Sequence, residues 1–277
     1  MPHYVPPIQD LQFVLTEVAE LDQICALPGY GDVEPDLIGA ILEEAGKFAS
    51  EILAPLNRVG DTEGSRLEND AVRTPEGWKE AYRRFTEGGW TSLLFDSQYG
   101  GQGLPRVVGA AVQEMWDAAN MSFGLCPMLT QTAAEVISLA GTSEQKEIYL
   151  GRLVKGEWTG TMNLTEPQAG SDLSAVRTQA VAAKEGHYLL TGQKIFITYG
   201  DHDLSGNIVH LVLARAPDAP DGVKGISLFI VPKFIPDSDG EPGKRNDIRT
   251  VSLEQKLGIH ASPTAVLSYG DKGGAVG

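Results

Sequence analysis

The sequence predicts an α+β fold, with an all-α N-terminal domain followed by an antiparallel β-barrel or sandwich domain. Three features carry that expectation. Apolar residues keep a helical period in successive stretches between Asp36 and Ile137, and after Gly156 the period changes to an alternating one. No Gly-x-Gly-x-x-Gly lies between a strand and a helix, so a Rossmann dinucleotide site is not supported. With 277 residues the chain has the length for about two cores. The expected divisions are an arm of residues 1–34, a helical domain of 35–157 and a β domain of 158–277.

In the arm, Pro2, Pro6, Pro7 and Pro28 surround one apolar segment, Leu11, Phe13, Val14, Leu15, Val18 and Leu21, which suits a short packed helix. From Asp36 to Leu53 the apolar positions Leu37, Ile38, Ile41, Leu42, Ala45, Phe48, Ala49, Ile52 and Leu53 share a helical face, and Pro55 is expected to stop it. Thr74-Pro75 reads as an N-cap with proline at the first helical position, opening a helix with Trp78, Ala81, Tyr82 and Phe85 inside and Gly88-Gly89 at its end. Two further stripes follow, Val107 to Ala119 and Met128 to Ile137, closed by Gly141; Thr142 to Gln145 then forms a capping box. Such stripes are core before they are ligand walls, so none of these residues enters the site.

Strands are expected at Trp158 to Thr165, Gln179 to Ala183, His187 to Thr191, Lys194 to Thr198, Ile208 to Ala214, Ile226 to Val231, Ile248 to Leu253 and Ala265 to Tyr269. Glu185-Gly186, Gly192-Gln193 and Asp221-Gly222 are the expected breaks, and Pro236 to Asp247 is a long polar surface loop.

Charge and cysteine usage narrow the function. The formal net charge of -15, from 22 Lys plus Arg against 37 Asp plus Glu, makes nucleic acid a poor partner. Cys25 and Cys126 lack the paired spacing of a zinc or redox motif, so no metal site is expected. The start, Met1 to Pro7, lacks a signal-peptide pattern and no apolar run is long enough to span a bilayer, which places the expectation in the cytoplasm. His202 between Asp201 and Asp203 reads as part of a solvated turn, and His260 as a structural or rim residue, because no nucleophile or carboxylate is spaced to work with it.

The stretch with chemistry in it is Gly160 to Asp172, where an alternating run breaks into a Pro/Gly turn. Gly170 lets a ligand approach the backbone, Thr165 and Ser171 offer hydroxyls, and the turn can aim N–H groups outward. The string Thr165-Glu166-Pro167-Gln168-Ala169-Gly170-Ser171-Asp172 resembles the flavin-binding signature of the acyl-CoA dehydrogenases. Leu94 to Pro105, Gly141 to Gly160, Lys194 to Gly200 and Glu254 to Thr264 fall in that family's order. The start, with Asp10-Leu11-Gln12-Phe13-Val14-Leu15, is similar to the branch that includes the 3-methylmercaptopropionyl-CoA dehydrogenases.

That resemblance implies FAD held by Met162, Leu164, Thr165, Gly170 and Ser171, with Ser171 also touching substrate. Phe196, Ile197 and Thr198 would form the second flavin segment. It also implies an acyl-CoA thioester oxidised to the trans-2-enoyl-CoA, electron-transfer flavoprotein as acceptor, and a homo-oligomer in the full-length enzyme. Leu125 to Thr132 would line the acyl pocket. The family's catalytic glutamate sits on a later helical domain, so the resemblance assigns no catalytic residue here and expects the general base downstream of Gly277. Two other readings share these motifs: a non-catalytic fragment serving as a partial ligand-binding or assembly surface, and an acyl-CoA oxidase relative.

Overall fold

The computed structural model describes residues 4–30, 33, 35–184 and 186–277; Met1, Pro2 and His3, and Glu185 of the expected Glu185-Gly186 turn, lie outside the described residues. The arm forms α1 (Ile8–Phe13), a π turn (Val14–Val18) and α2 (Leu21–Cys25), with Leu11, Leu15 and Leu21 buried. The next helix, α3 (Pro35–Phe48), does not end before Pro55 as expected. It passes through a π turn (Ala49–Leu53) into α4 (Ala54–Glu63), and Pro55 falls in the first turn of α4, where its missing N–H has little to lose.

The expected cap at Thr74 is also corrected. Helix α5 (Trp78–Glu87) starts after Gly77, and Thr74 donates its N–H and hydroxyl to Asp203 Oδ1 at 3.1 and 2.7 Å, across to the sheet. Helix α6 (Arg106–Ala140) is two helical stretches joined by a kink at Asn120 (φ -160°, ψ 84°), matching the two stripes. Asn120 Oδ1 accepts from Phe123 N–H at 3.1 Å, as an N-cap does, and its Nδ2 donates to Leu53 O at 3.1 Å. Thr142 and Gln145 make both bonds of the capping box, opening α7 (Ser143–Gln145), which leads through a π turn (Lys146–Leu150) to α8 (Gly151–Val154).

A hairpin of β1 (Arg66–Glu68) and β2 (Ala71–Arg73) lies between α4 and α5 in the chain. After α8 come β3 (Trp158–Asn163), β4 (Gln179–Ala182), β5 (Tyr188–Thr198), β6 (Asn207–Arg215) and β7 (Ile226–Pro232). Then follow a small hairpin of β8 (Phe234–Pro236) and β9 (Pro242–Arg245), and β10 (Ile248–Leu253), β11 (Thr264–Tyr269) and β12 (Ala275–Val276). The main sheet runs β10-β11-β5-β4-β6-β3, with β12 on β5 and β7 on β6.

The sheet is mixed, which corrects the antiparallel expectation. Strand β3 lies parallel to β6, from Trp158 opposite Asn207 to Asn163 opposite Val212. A parallel pair needs a long crossover, and residues 164–206 supply it while carrying β4 and β5. Alternation of apolar residues marks a strand but not its direction, and both β3 and β6 are buried at nearly every position. The expected break at Gly192-Gln193 is absent too, because Gly192 pairs with Tyr269 and Gln193 with Ser268 as β5 passes from β4 to β11. The polar loop from Pro236 to Asp247 contains β9, turned by Gly240 at φ 75°.

Helices and sheet share their cores. The helical cluster of Trp78, Phe85, Trp116 and Phe123 takes in Tyr199 and Ala261, and a second cluster joins Ala133, Ile137 and Leu153 to Trp158, Val209 and Leu211. Tyr199, at the end of β5, donates its hydroxyl to Ser122 O at 2.5 Å and accepts from Trp78 Nε1 at 3.4 Å.

His260 ties the β10–β11 loop to α4. Its Nδ1 lies 3.1 Å from Asp61 O and 2.8 Å from Asp61 Oδ1, and its Nε2 lies 3.0 Å from Lys256 O. Carbonyl oxygens only accept, so the protonated ring serves both contacts, and the Asp61 and Lys256 carbonyls raise its pKa. A folded-state value above the unfolded ~6.5 means that this contribution is full below about pH 6.5 and lost as pH rises through the folded value. The difference in urea midpoint between wild type and His260→Gln should therefore be largest at pH 6 and shrink at pH 9. A difference that grows with pH would contradict the clamp.

Candidate functional site

The site is built where β3 leaves the sheet. Asn163 is fixed first: its Oδ1 accepts from the Tyr269 hydroxyl at 2.8 Å, tying the strand end to β11. The chain then turns through Leu164 and Thr165 into a tight loop closed by reciprocal Glu166 and Ala169 backbone bonds, both 3.0 Å. This is the local physics of Thr-Glu-Pro followed by Ala-Gly: proline fixes one turn position and a paired backbone bridge closes the rest.

Glu166 holds the loop from inside. Its carboxylate accepts five hydrogen bonds, from Gln168 Nε2 (2.5 Å), Arg177 N (2.7 Å), Thr178 N (3.0 Å), Thr178 Oγ1 (2.6 Å) and Lys194 Nζ (2.8 Å). Lys194 is fully buried and Glu166 is 3% exposed, so the ion pair stands in the interior. Burial works against the charge on Glu166, but the bonds from Lys194, Thr178 and Arg177 outweigh it and hold the carboxyl below its ordinary value. Burial lowers the Lys194 pKa, and Glu166 offsets part of that. Lys194 also donates to Leu164 O at 3.1 Å, so a single side chain on β5 grips both ends of the turn's entry.

Strand β5 supplies the opposite wall. Between Ala265 and Leu267 of β11 the register on β5 moves from Ile197 to Lys194, which inserts an extra residue and makes a β-bulge. The bulge puts Phe196 at φ 58° with 58% of its surface exposed. A bulky residue in the left-handed region costs roughly 1–2 kcal/mol, and an aromatic residue left more than half exposed recovers only part of a full burial gain in return. Ile195 N–H donates to Thr165 O at 2.9 Å and Thr161 Oγ1 donates to Thr198 O at 2.7 Å, so the two walls are stitched together.

The sequence-predicted residues sort by place. Met162, Leu164, Thr165 and Thr198 are half-buried along this junction, and Phe196 stands open beside them. Ile197 is buried in the sheet core, so its side chain faces away and only its backbone borders the junction. Gly170 and Ser171 are exposed past the bridge, and no hydrogen bond among the described residues joins them directly to Phe196, Ile197 or Thr198. A Cβ at Gly170 would meet nothing within 4 Å, so open space lies over that turn. Of Leu125 to Thr132, Met128, Gln131 and Thr132 line a groove of about 330 Å³ with Leu94 and Phe95, whereas Cys126 and Thr130 are buried.

Glu166, Lys194 and Thr178 were not singled out from the sequence. The available signal was a lysine at the head of an alternating strand, Lys194-Ile195-Phe196-Ile197-Thr198, where an inward charge needs a buried partner. The expected solvated turn at His202 is corrected: Asp201 and His202 are buried. Leu204 N–H donates to His202 Nδ1 at 3.1 Å, His202 Nε2 lies 2.9 Å from Thr159 Oγ1, and burial pushes the ring down to about 3. Lys233 and Thr250 balance Asp201, at 2.6 and 2.8 Å.

Comparison with known proteins gives two family matches: "Acyl-CoA dehydrogenase, N-terminal domain" over residues 39–157 and "Acyl-CoA dehydrogenase, middle domain" over residues 161–271. A 3-methylmercaptopropionyl-CoA dehydrogenase of Ruegeria pomeroyi is 54% identical over 266 residues, which is 96% of this chain and 45% of that protein. A butyryl-CoA dehydrogenase of Syntrophomonas wolfei is 38% identical over 280 residues, 99% of this chain and 46% of its own length. Among solved structures, a Bacillus anthracis acyl-CoA dehydrogenase complexed with FAD superposes with a TM-score of 0.66 at 27% identity, covering 89% of this chain and 36% of that one. The chain thus spans about half the length of the curated relatives it matches.

The strained, exposed Phe196 gives a test that separates ligand contact from fold. Replacing Phe196 by Gly relieves the left-handed backbone but adds chain entropy, so unfolding free energy in urea should stay level or rise by up to about 1 kcal/mol. FAD affinity in a direct titration should fall roughly three- to tenfold with loss of the ring. Lower stability with unchanged FAD affinity would make Phe196 a packing residue.

Proposed function

We propose a function from one premise: this chain belongs to the acyl-CoA dehydrogenase family. On that premise it forms the N-terminal, flavin-facing part of an enzyme that oxidises an acyl-CoA thioester to the trans-2-enoyl-CoA. The observation that carries this reading is Phe196, an exposed aromatic held at φ 58° by a bulge, directly beside the loop that Glu166 and Lys194 hold. The residues present fit FAD: a flat ring wall, a neighbouring hydroxyl row and the open space over Gly170 suit a planar heteroaromatic group.

In this reading Met162, Leu164, Thr165, Gly170 and Ser171 hold the flavin from one side, and Phe196, the Ile197 backbone and Thr198 from the other. Ser171 also touches substrate. FAD, when bound, supplies the hydride acceptor. Removing the α proton needs a base. Glu166 and Asp172 are the carboxylates that adjoin the cradle residues in sequence; five donors occupy Glu166, which cannot take up that proton without breaking the loop, and Asp172 is exposed and accepts from Ser174 N–H at 2.9 Å. We therefore assign no catalytic base to this chain and place it in the part of the longer relatives that lies beyond this stretch.

The remaining assignments belong to the same proposal. Helices end at Val154 and the sheet begins at Trp158, which supports the division into 1–34, 35–157 and 158–277. Electron-transfer flavoprotein is the proposed acceptor and a homo-oligomer the proposed state of the full-length enzyme. No helix among the described residues is long and apolar enough to cross a membrane. Cys25 and Cys126 are free and buried, which agrees with the proposed cytoplasmic location.

The isolated 277-residue chain should show no acyl-CoA-dependent dye reduction, and should purify with weak or no flavin absorbance. Turnover clearly above background would refute the assignment of the base outside this stretch.

A further inference from the structure

Arg215, the last residue of β6, directs its whole guanidinium at backbone carbonyls. Nε donates to Val176 O at 2.9 Å and Nη2 to Ser174 O at 2.7 Å, on the stretch that follows the Gly170-Ser171-Asp172 turn. Nη1 donates to Pro220 O at 3.2 Å and Nη2 also to Gly222 O at 2.7 Å, on the loop between β6 and β7. The backbone N–H of Arg215 donates to Thr178 O at 2.9 Å, next to the N–H and hydroxyl by which Thr178 grips Glu166. The β6–β7 loop is wound closely around this cation: a Cβ at Gly225 would come within 2.7 Å of Arg215 Nη1 and would collide with Pro220 O.

The chemistry of this hub is specific to arginine. Its planar fork holds five N–H donors at fixed angles, and four of them fan out to two loops that are far apart in sequence. A lysine at the same place would present a point charge that cannot span both sets of carbonyls. The donor is a cation and all four acceptors are neutral carbonyls, so the bonds are charge-assisted through the guanidinium, the stronger kind. The ligand loop is consequently held at two ends by opposite charges, at its entry by the Glu166 carboxylate and at its exit by the Arg215 guanidinium.

We propose that Arg215 is a positioning residue of the ligand cradle, locking the 173–176 stretch and the 216–225 loop into one rim, so that a ligand seated at the Gly170-Ser171 turn is felt in the β6–β7 loop. This rests on the reading above that the turn belongs to the ligand site. Neither loop moves alone while the guanidinium joins them.

Hydrogen exchange on the 277-residue chain and on its Arg215→Lys and Arg215→Met variants tests the lock directly. Exchange at 173–176 and at 219–225 should rise together by roughly tenfold or more in both variants, with β10 and β11 unchanged. No rise in Arg215→Lys, a rise in only one stretch, or a rise throughout the chain would overturn the proposal. Butyryl-CoA added to wild type should slow exchange in both stretches, and Arg215→Lys should bind it about tenfold more weakly. Equal affinity in the variant would overturn the positioning role. Wild type that binds no butyryl-CoA, with the two stretches still loosening together, would instead sink the ligand reading and with it the positioning role, leaving the lock as a structural one.

Discussion

The structure around the candidate site depends on one buried ion pair, Glu166 with Lys194 at 2.8 Å. Two charges in an interior are expensive, and they persist only when geometry satisfies the remaining lone pairs and protons. Here the carboxylate has four further donors and the ammonium a second acceptor, Leu164 O. The pair therefore fixes the turn, and it fixes it against β5, the strand that carries Phe196. Because the Glu166 pKa is depressed in the fold, its contribution is present above the ordinary carboxylate range and lost as pH falls through the folded value.

From that anchor the constraints run outward in two directions. Along β5 the bulge turns Phe196 to the open side and sends Tyr199 into the helical core, where its hydroxyl reaches Ser122 O. The exposed aromatic and the buried one are three residues apart, and both sit at positive φ, 58° and 50°. Along the loop, Thr178 passes the hold on to Arg215 and the β6–β7 connection. A stable helical core thus holds a strained wall in place, which is how strain can persist at a binding surface.

Much of the architecture was legible because burial imposes periodicity. The stripes of Trp78, Ala81, Tyr82 and Phe85, the break between the two halves of α6, the capping box at Thr142 and the change of period after Gly156 all survive in the structure. Strand direction was not legible, since Trp158 to Asn163 alternates in the same way whether β6 runs with it or against it. Pro55 misled because its effect depends on helix position, and a π turn placed it in a first turn. For the site, the motif string pointed to the loop and to Phe196, but the residues that hold them are set by contacts distant in sequence. Glu166 meets Thr178 and Lys194, and Arg215 meets Ser174 and Gly222, across separations that no local pattern encodes.

The most direct measurement is a double-mutant cycle in urea on Glu166→Gln, Lys194→Met and the pair. Each single change leaves a buried partner exposed to an interior without its counter-charge and should cost about 3–5 kcal/mol, whereas the double variant should cost far less than the sum. Additive losses would mean that the two residues act separately, and that the loop is held by something other than this pair.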